Sequence, residues 1–467
     1  MYFVKTVVTT ILLSSTLTYA YLPIEQQHPL QKPSRNVPNL NGKFLHITDI
    51  HIDPYYQDEA TIKSGCHFQA KKHHKKKKRK GKLAGYWGSP TKGCDAPPRL
   101  AEHAIDWIGE RWKEEIDFIV WTGDNARHDL DSKNLPRTKK EILALNQAIT
   151  YRIQEAFHRK DNTTIPIIPC IGNNDVHPHN RLQVTSMIET YSEMWRDFIP
   201  PDQLPVFRQG GYYAIDIAPG LRVLVLNTLY FFNSNDLVNG CQDRDGPEHA
   251  HFEWIIDQLA MARRDRARVY ITGHVPPTDR TFYPACLDRY IDISLEYQDV
   301  ITGHFYGHVN RDHFNVLQKN QDRAKDKVDI TKTTRDEFSS MLRKQYKRIQ
   351  RDKSAVVVHV APPIIPEYNP TFRINEYDTD PTSSNFGTWT KYTQYYIDLN
   401  YYNGKKHPEL ESPQFYEEYA TDTEYGMKDL STESWMDLAQ RLTQKGSKKS
   451  KKLWKKFVNN LFVQTEH

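Results

Sequence analysis

Short β-rich apolar runs recur along this chain, and they constrain its fold more than any other feature of the sequence. They cover residues 44–48, 118–122, 165–171, 212–217, 221–227, 269–272 and 356–360. Patterns with helical periodicity lie between several of them, at residues 99–113, 139–158 and 249–264. This alternation of strands and helices is typical of an α/β fold.

Polar residues follow five strand ends, and each set includes Asp, His or Asn. The sets are Asp49-Ile50-His51, Gly123-Asp124-Asn125, Gly172-Asn173-Asn174-Asp175, Gly273-His274 and Gly307-His308-Val309-Asn310. Ligands of an open α/β sheet bind at the carboxyl ends of its strands, so we expect the five loops to converge on one site. A glycine beside a ligand lets the backbone turn sharply and approach closely. Such oxygen and imidazole donors suit Zn, Mn or Fe(II) more than a thiolate site.

The 467-residue chain has ample material for a core, with 38% hydrophobic and 12% aromatic residues, which excludes wholesale disorder. Its formal charge of +5 is unevenly distributed. Residues 71–82 and 445–456 are rich in Lys and contain no acid, whereas the rest of the chain is net negative. Such local basicity points to a particular polyanionic partner more than to a generally basic surface.

Residues 1–20 are typical of a secretory-pathway signal, with Lys5, an apolar stretch at 6–17 and small residues before the predicted cleavage site. A cleaved signal peptide and a retained signal anchor both stay open, because the stretch is shorter than the roughly 20 residues that span a bilayer. Residues 21–42 are predicted to be a linker. No other segment approaches the length of apolar sequence that a polytopic membrane protein needs.

Five cysteines allow two disulfides and one free thiol. Sequence order and an oxidising compartment favour the pairs Cys66–Cys94 and Cys241–Cys286. Cys170 lies in an apolar run and is predicted to be a buried free thiol. The single N-glycosylation sequon begins at Asn162 and predicts a glycan there.

The strand-end motifs resemble those of the calcineurin-like metallophosphoesterase superfamily, whose pattern is DxH, GD, GN, GH and GHxH, over roughly residues 43–365. Longer strings resemble the fungal vacuolar endopolyphosphatase family, which is related to acid sphingomyelinase. These strings are HITDIHIDPYY (46–56), GDNARHD (123–129), GNNDVHPHN (172–180), GHVPP (273–277), FYGHVNRDHF (305–314) and YNPTFRINEYD (368–378). The resemblance implies an α/β/β/α sandwich with a dimetal site at the carboxyl ends of its strands.

The resemblance also implies six ligands for two divalent metal ions, drawn from Mn, Zn, Co, Mg and Fe. They are Asp49 and His51 on one metal, Asn173, His274 and His308 on the other, and Asp124 bridging the two. A carboxylate can bridge cations about 3.5 to 4 Å apart, and such a pair activates a bridging hydroxide for in-line attack on phosphorus.

Two positions depart from the family pattern. Asn310 replaces the last His of GHxH and is a weaker neutral ligand for the first metal. Asn174 replaces a His that often acts as general acid. A phosphoanhydride expels phosphate, which needs less acid help than an alkoxide, so this loss favours polyphosphate as substrate. His128, His177 and His179 are the nearby candidates for an acid or hydrogen-bonding role.

Several basic residues are candidates for substrate binding. Arg127 lies where purple acid phosphatases place a Tyr ligand, and it is predicted to clamp a phosphate oxygen. The basic loop insertion 71–82 is either a substrate-gathering loop or a solvated insertion, and sequence-specific nucleic-acid binding is disfavoured. Its candidate contacts are Lys75, Lys76, Lys77, Lys78 and Arg79.

The chain ends in a Tyr-, Asp- and Thr-rich extension at 366–430 and a basic tail at 431–467. Within that tail, the charge of the string KKSKKLWKKF (448–457) favours a disordered solubilising segment. Contact with an anionic membrane surface or with substrate is the alternative.

Our leading hypothesis is an endopolyphosphatase that hydrolyses internal phosphoanhydride bonds of inorganic polyphosphate. The resemblance places it in the vacuole, either in the lumen or as a single-pass membrane protein, and secretion is the alternative. An acid-sphingomyelinase-like or nucleotide phosphodiesterase is the second hypothesis. A polyanion-binding protein without turnover is the third, because of Asn174 and Asn310.

Overall fold

The computed structural model describes residues 40–68, 82–161, 163–242, 244–319 and 328–465. Its strands are β1 (Lys43–Ile47), β2 (Phe118–Trp121), β3 (Ile167–Pro169), β4 (Tyr213–Ala218), β5 (Leu221–Val225), β6 (Arg268–Thr272), β7 (Ile301–Tyr306), β8 (His313–Leu317), β9 (Val356–Val360), β10 (Thr371–Tyr377), β11 (Trp389–Tyr396) and β12 (Tyr416–Ala420). Its helices are α1 (Pro98–Trp112), α2 (Lys139–Ala156), α3 (Ser186–Met194), α4 (Leu204–Gly210), α5 (Pro247–Asp265), α6 (Pro284–Glu296), α7 (Arg335–Lys347), α8 (Leu399–Asn403), α9 (Thr421–Tyr425), α10 (Thr432–Thr443) and α11 (Lys448–Leu461). Each β-run and helical pattern named from the sequence holds the expected element, with ends that differ by at most two residues.

The strands form two six-stranded sheets, ordered β12–β11–β10–β1–β2–β3 and β4–β5–β6–β7–β9–β8. Strands β1, β2 and β3 are parallel neighbours, as are β5, β6, β7 and β9. Parallel neighbours end at the same edge of a sheet, and this arrangement brings the motif-bearing loops together.

The two sheets pack face to face through aromatic side chains. Phe44 of the first sheet lies 5.4 Å, ring centroid to centroid, from both Tyr270 and Phe305 of the second. Helices α1 and α2 contribute buried apolar residues to the opposite face of the first sheet, where they pack with Ile119 and Trp121. Helix α5 supplies Phe252 to the core of the second. The predicted α/β/β/α sandwich is therefore confirmed.

The extension at 366–430 is part of the first sheet. Strand β10 pairs antiparallel with β1, with Phe44 opposite Asn375, and β11 and β12 continue the sheet outward. The sequence does not predict these strands, because the segment has no continuous apolar run. Along β11, for example, polar residues alternate with aromatic ones.

The expectation of a disordered segment at 448–457 is wrong. Residues 432–443 and 448–461 form α10 and α11, and both helices pack on the core. Their apolar residues recur at helical spacing and are buried, and they are Trp435, Leu438, Leu442, Phe457 and Leu461. Burial of this apolar stripe outweighs the lysine-rich composition of the segment. Among the described residues, no helix is both long and apolar enough to span a bilayer.

Both predicted disulfides are confirmed: Cys66 bonds to Cys94, and Cys241 bonds to Cys286. Cys170 is a buried free thiol as predicted, and burial raises its pKa. The signal segment at 1–20, Asn162 and the basic residues 71–81 lie outside the described residues.

Candidate metal centre

The loops after β1, β2, β6 and β7 meet at one edge of the two sheets, and the loop after β3 joins them. Several of their residues have a left-handed backbone that non-glycine residues rarely adopt. Their φ angles are 50° at Asp49, 45° at His51, 58° at Asp124, 70° at His308 and 59° at Asn310. Such strain typically costs about 1 kcal/mol or more per residue and concentrates at functional sites.

A first group of donors consists of Asp49, His51 and Asp124. His51 Nε2 lies 3.5 Å from Asp49 Oδ1 and 3.5 Å from Asp124 Oδ2. The Nδ1–H of His51 donates to the carbonyl of Ala126 at 3.0 Å, which leaves the Nε2 lone pair for a ligand. Asp49 Oδ1 and His51 Nε2 are both buried and have no hydrogen-bond partner. A divalent cation would satisfy both atoms.

The electrostatics of the first group also favour a cation. Burial alone would lower the pKa of His51, but the carboxylates of Asp49 and Asp124 raise it to about 9. Asp49 Oδ2 is fixed by the backbone N–H of His308, which donates at 2.9 Å. The first group is therefore a negative, preformed cavity for a positive charge.

A second group consists of Asp124, Asn173, His274 and His308. Asn173 Oδ1 lies 2.8 Å from His274 Nε2 and 2.8 Å from His308 Nδ1. His274 Nε2 is also 3.2 Å from Asp124 Oδ2, and its Nδ1–H donates to the carbonyl of Thr122. Burial lowers the pKa of His274, but the Asp124 carboxylate raises it to about 9.

The structure thus brings together all six ligands implied by the resemblance, and Asp124 belongs to both groups. Within each His and carboxylate group, the candidate ligand atoms lie within 4.8 Å of one another. Carboxylate oxygen, imidazole nitrogen and amide oxygen form a donor set that fits two divalent cations sharing one carboxylate.

Two glycines beside the ligands are needed for close approach, and their φ angles are not positive. A Cβ on Gly172 would lie 2.1 Å from Asp124 Oδ1 and 2.3 Å from the Asp124 backbone nitrogen. A Cβ on Gly307 would lie 2.5 Å from Asp49 Oδ2. Gly123 is different, because its φ of 81° lies in the left-handed region.

Asp175 positions the bridging carboxylate, a role that sequence reasoning missed. Its buried carboxylate accepts backbone N–H groups of Asp124 and Asn125 at 2.8 Å and of Gly172 at 3.1 Å. The loop after β2 is thereby tied to the loop after β3. A carboxylate at the end of the GNND string was the available signal.

His128 lies against the first group, and its ring stacks on His51 with 4.0 Å between centroids. Asp95 accepts from the backbone N–H of His128 and from its Nδ1, both at 2.7 Å. Burial raises the pKa of Asp95, but His128 lowers it below its usual value. Asp95 follows Cys94, so the Cys66–Cys94 disulfide anchors the segment that holds His128.

The other two candidate histidines differ. Both side chains are exposed, but His179 Nε2 lies 3.0 Å from Asn173 Nδ2. The side chain of His177 makes no hydrogen bond to a described residue. Of these two, His179 is therefore the one that contacts the centre.

The prediction that Arg127 clamps a phosphate oxygen is wrong in this structure. The side chain is 1% exposed, and its guanidinium binds both carboxylate oxygens of Glu141 at 2.7 and 3.2 Å. Its remaining donors go to the carbonyls of His128 and Leu135. Every nitrogen of the guanidinium is thus engaged in holding the loop after β2.

Arg137 is a cation that lies near the centre, and sequence reasoning missed it. It is 8% exposed, and its Nε is buried without a hydrogen-bond partner. Its other nitrogens donate to the side-chain oxygen of Asn174, at 2.8 Å, and to the Asn174 carbonyl. The Asn174 amide in turn donates to Asp124 Oδ2 at 2.8 Å. Arg137 follows a Pro in a polar stretch, which offers no sequence signal.

Asn310 is also held at one end. Its amide donates to Glu367 at 2.9 Å, and its Oδ1 is buried without a partner. Glu367 forms an ion pair with Lys92 at 3.2 Å. The orientation leaves the amide oxygen as the available donor atom, and metal ligation by Asn310 stays a prediction.

Residues 42–312 match the calcineurin-like phosphoesterase family. An endopolyphosphatase of Cryptococcus neoformans var. neoformans is 35% identical over 407 residues, which cover 74% of this chain and 59% of that protein. One of Debaryomyces hansenii is 40% identical over 293 residues, covering 60% and 39%. One of Saccharomyces cerevisiae is 38% identical over 283 residues, covering 59% and 41%. The chain therefore spans only part of the length of these relatives.

A dimetal phosphatase from Danio rerio has a solved structure that aligns with 76% of this chain and 96% of that chain, at 10% identity and a TM-score of 0.39. A likeness this weak carries no weight beside the family match. That match covers more than half of the chain and includes the strand-end motifs from Asp49 to His308. This chain therefore belongs to the calcineurin-like phosphoesterase family, and the site at its strand ends is a divalent dimetal centre.

Proposed function

We propose that this chain is an endopolyphosphatase that hydrolyses internal phosphoanhydride bonds of inorganic polyphosphate. The names of the three relatives support this substrate, although the chain spans 59%, 39% and 41% of their lengths. The observation that carries the proposal is the pair of hydrogen bonds that fix the Asn174 side chain. Arg137 holds its side-chain oxygen and Asp124 accepts from its amide, so no proton-donating imidazole occupies that place.

The absence of an imidazole at Asn174 matters because of the leaving group. A phosphodiester with an alkoxide leaving group needs a general acid, whereas a phosphoanhydride expels a phosphate that is already a stable anion. Arg137 is a fixed cation beside Asn174, and its charge would stabilise the negative charge that develops on a phosphate held at the centre. The chain thus offers a cation at the place where the GNH pattern would have a histidine.

Asp49, His51, Asp124, Asn173, His274 and His308 would hold the two cations. When bound, these cations supply Lewis-acid polarisation of phosphoryl oxygens and an activated water. Zn, Mn and Fe(II) match the donor set best.

Around this centre the protein positions the substrate. Asp95 accepts from Nδ1 of His128 and thereby leaves Nε2 as the nitrogen available to substrate. His128 is partly exposed, so its ring borders both the centre and solvent. We assign it a hydrogen-bonding role to phosphate, with Asp95 fixing its tautomer.

The test is gel resolution of long-chain polyphosphate after incubation with the protein and Mn, Zn, Co or Mg. Progressive shortening to mid-length chains, with little free phosphate at early times, is expected for internal cleavage. Sphingomyelin and a dinucleotide serve as diester controls. Cleavage of a diester with intact polyphosphate would refute the proposal.

A matched pair of variants ties the activity to the centre. Asp124→Asn removes the shared charge and should abolish hydrolysis while the fold is retained. Asp299→Asn changes an exposed carboxylate that pairs with Arg263, and it should leave the activity unchanged. Full activity of Asp124→Asn would place the chemistry elsewhere.

We further propose the vacuolar lumen as the site of action. The two disulfides support folding in an oxidising compartment. Fractionation of cells that express the tagged chain, with glycosidase treatment to detect a glycan on Asn162, would test this. Recovery of an unglycosylated protein in the cytosol would contradict it.

A further inference from the structure

Helix α11 carries six exposed lysines and no acidic residue. They are Lys448, Lys449, Lys451, Lys452, Lys455 and Lys456. At 3.6 residues per turn they cover an arc of about 160°, opposite the buried Phe457 and Leu461. Among the described residues, Lys456 alone of the six forms an ion pair, with Glu424 at 2.9 Å. The other five charges face solvent together.

Helix α7 lies antiparallel beside α11 and widens this basic surface. Near its start, Arg335 donates to Asn459 Oδ1 at 3.2 Å. Two turns later, the Arg343 guanidinium lies 5.1 Å from the centroid of the Trp454 ring. The Nε of Arg343 is buried without a partner, and Lys347 is exposed one turn further along. We call the six lysines of α11 and the cations of α7 the α7–α11 basic face; the cations of α7 are Arg335, Arg343, Lys344 and Lys347.

The acids of α7 do not neutralise this face. Asp336 and Glu337 both lie in the first turn of the helix. Glu337 is occupied there, because it accepts from the backbone and hydroxyl of Thr334 in a capping box. Lys344 and Lys347 lie in the last turn, well separated from both acids along the axis.

The carboxyl end of α11 is hydrogen-bonded to the segment that follows the His308 loop. The carbonyl of Leu461, the last residue of α11, accepts from the backbone N–H of Asp312 at 3.2 Å. Asp312 follows Asn310 by two residues. With a rise of 1.5 Å per residue, Lys456 and Lys448 lie about 8 and 20 Å from Leu461 along the helix axis. Along the helix axis, the lysine row thus begins on the side of the segment that follows the His308 loop and leads away from it.

We infer that the α7–α11 basic face is an exosite for the distal part of a long linear polyphosphate whose scissile bond lies at the metals. The inference rests on the proposed function, because it names the substrate of the same centre. A row of cations leading away from the segment that follows the His308 loop suits a linear anion, and its binding releases counterions. Membrane insertion is disfavoured, because Phe457 and Leu461 are buried in the core and not available to a bilayer.

The test compares two triple variants of the full chain, each in an Asp124→Asn background that prevents hydrolysis. The first is Lys451→Gln, Lys452→Gln and Lys455→Gln. The control is Lys113→Gln, Lys160→Gln and Lys406→Gln, which lie outside α7 and α11. With the salt slope for single strands, three contacts correspond to about 20-fold in affinity between 50 and 200 mM salt. Over that salt range, the protein with Asp124→Asn alone should therefore lose about 20-fold more affinity for long-chain polyphosphate than the first triple variant. The control triple variant should lose as much affinity as the protein with Asp124→Asn alone.

Hydrolysis supplies the second readout, with Asp124 restored. The α11 variant should raise KM for long-chain polyphosphate and leave tripolyphosphate hydrolysis unchanged, because a short substrate does not reach the helix. Equal effects of the two triple variants would overturn the exosite. So would loss of binding to phosphatidylserine vesicles with unchanged polyphosphate binding. If the wild-type chain cleaves no polyphosphate but the salt-dependent binding difference persists, the exosite stands and the proposed function fails.

Discussion

Replacing Gly172 with Ala tests whether close packing sets the position of the bridging carboxylate. The added Cβ would lie 2.1 Å from Asp124 Oδ1, whereas carbon and oxygen normally approach to about 3.3 Å. The carboxylate must therefore move by about 1.2 Å, far beyond the ~0.2 Å tolerance of a metal–ligand distance. The Asp124 backbone nitrogen, 2.3 Å away, prevents relief by side-chain rotation alone. We expect a 10- to 100-fold loss of metal affinity, about 1.4 to 2.7 kcal/mol.

The matched control is Gly109→Ala, whose Cβ would meet the carbonyl of Ala156 at 2.6 Å where α1 packs on α2. Both substitutions overpack buried backbone and should lower the free energy of unfolding by about 1 to 3 kcal/mol. Calorimetric titration with Mn or Zn should detect weakened binding in the Gly172 variant alone. Metal binding as tight as in the wild type would refute the packing argument, provided urea unfolding shows both variants folded.

Three further outcomes are expected. Arg137→Lys keeps the charge but loses the two-pronged contact with Asn174, so kcat should fall about tenfold or more at unchanged metal content. Burial raises the pKa of Glu418 to about 8, so its protonated form stabilises the fold and stability should decline as pH rises from about 4.5 to 8. Solvent contact limits that decline to about 1 to 2 kcal/mol, and Glu418→Gln should remove it in urea unfolding curves. Replacing Cys66 and Cys94 with Ser should cost about 2 to 4 kcal/mol and lower activity through Asp95. An unchanged kcat of Arg137→Lys would contradict the first argument. A Glu418→Gln variant whose stability still declines with pH would contradict the second. A double serine variant with wild-type stability and activity would contradict the third.

The strands and ligands were predictable because local signals mark them. Apolar runs such as 356–360 are buried on both faces of a sheet. Their almost continuous apolar, β-branched composition indicates such a strand from the sequence alone. The ligand loops carry short strings in which Asp49 or His308 lies beside a glycine or a second donor. Both cysteine pairs followed from chain order, since each closes a short loop.

The missed features depend on contacts between distant segments. Arg127 and Arg137 look alike in sequence, yet Glu141 on α2 neutralises the first while the second meets Asn174. No local pattern distinguishes a cation with an acid partner from one without. Helix α11 was misjudged for a related reason, since its lysines dominate the composition while Phe457 and other buried residues decide its fold.

The dimetal centre combines three features that each oppose folding when taken alone. Its residues adopt strained φ angles, Asp49 and Asp124 bring like charges together, and Asp49 Oδ1 and His51 Nε2 are buried without partners. Bound cations would directly relieve the repulsion between the carboxylates and would give the unpartnered atoms a ligand. The strained φ angles must be held by the protein itself. They are held by the hydrogen bonds that Asp175 accepts and by the close approach at Gly172. The centre is therefore shaped by the loops before any metal binds, which is why its positioning residues should be as sensitive to substitution as its ligands.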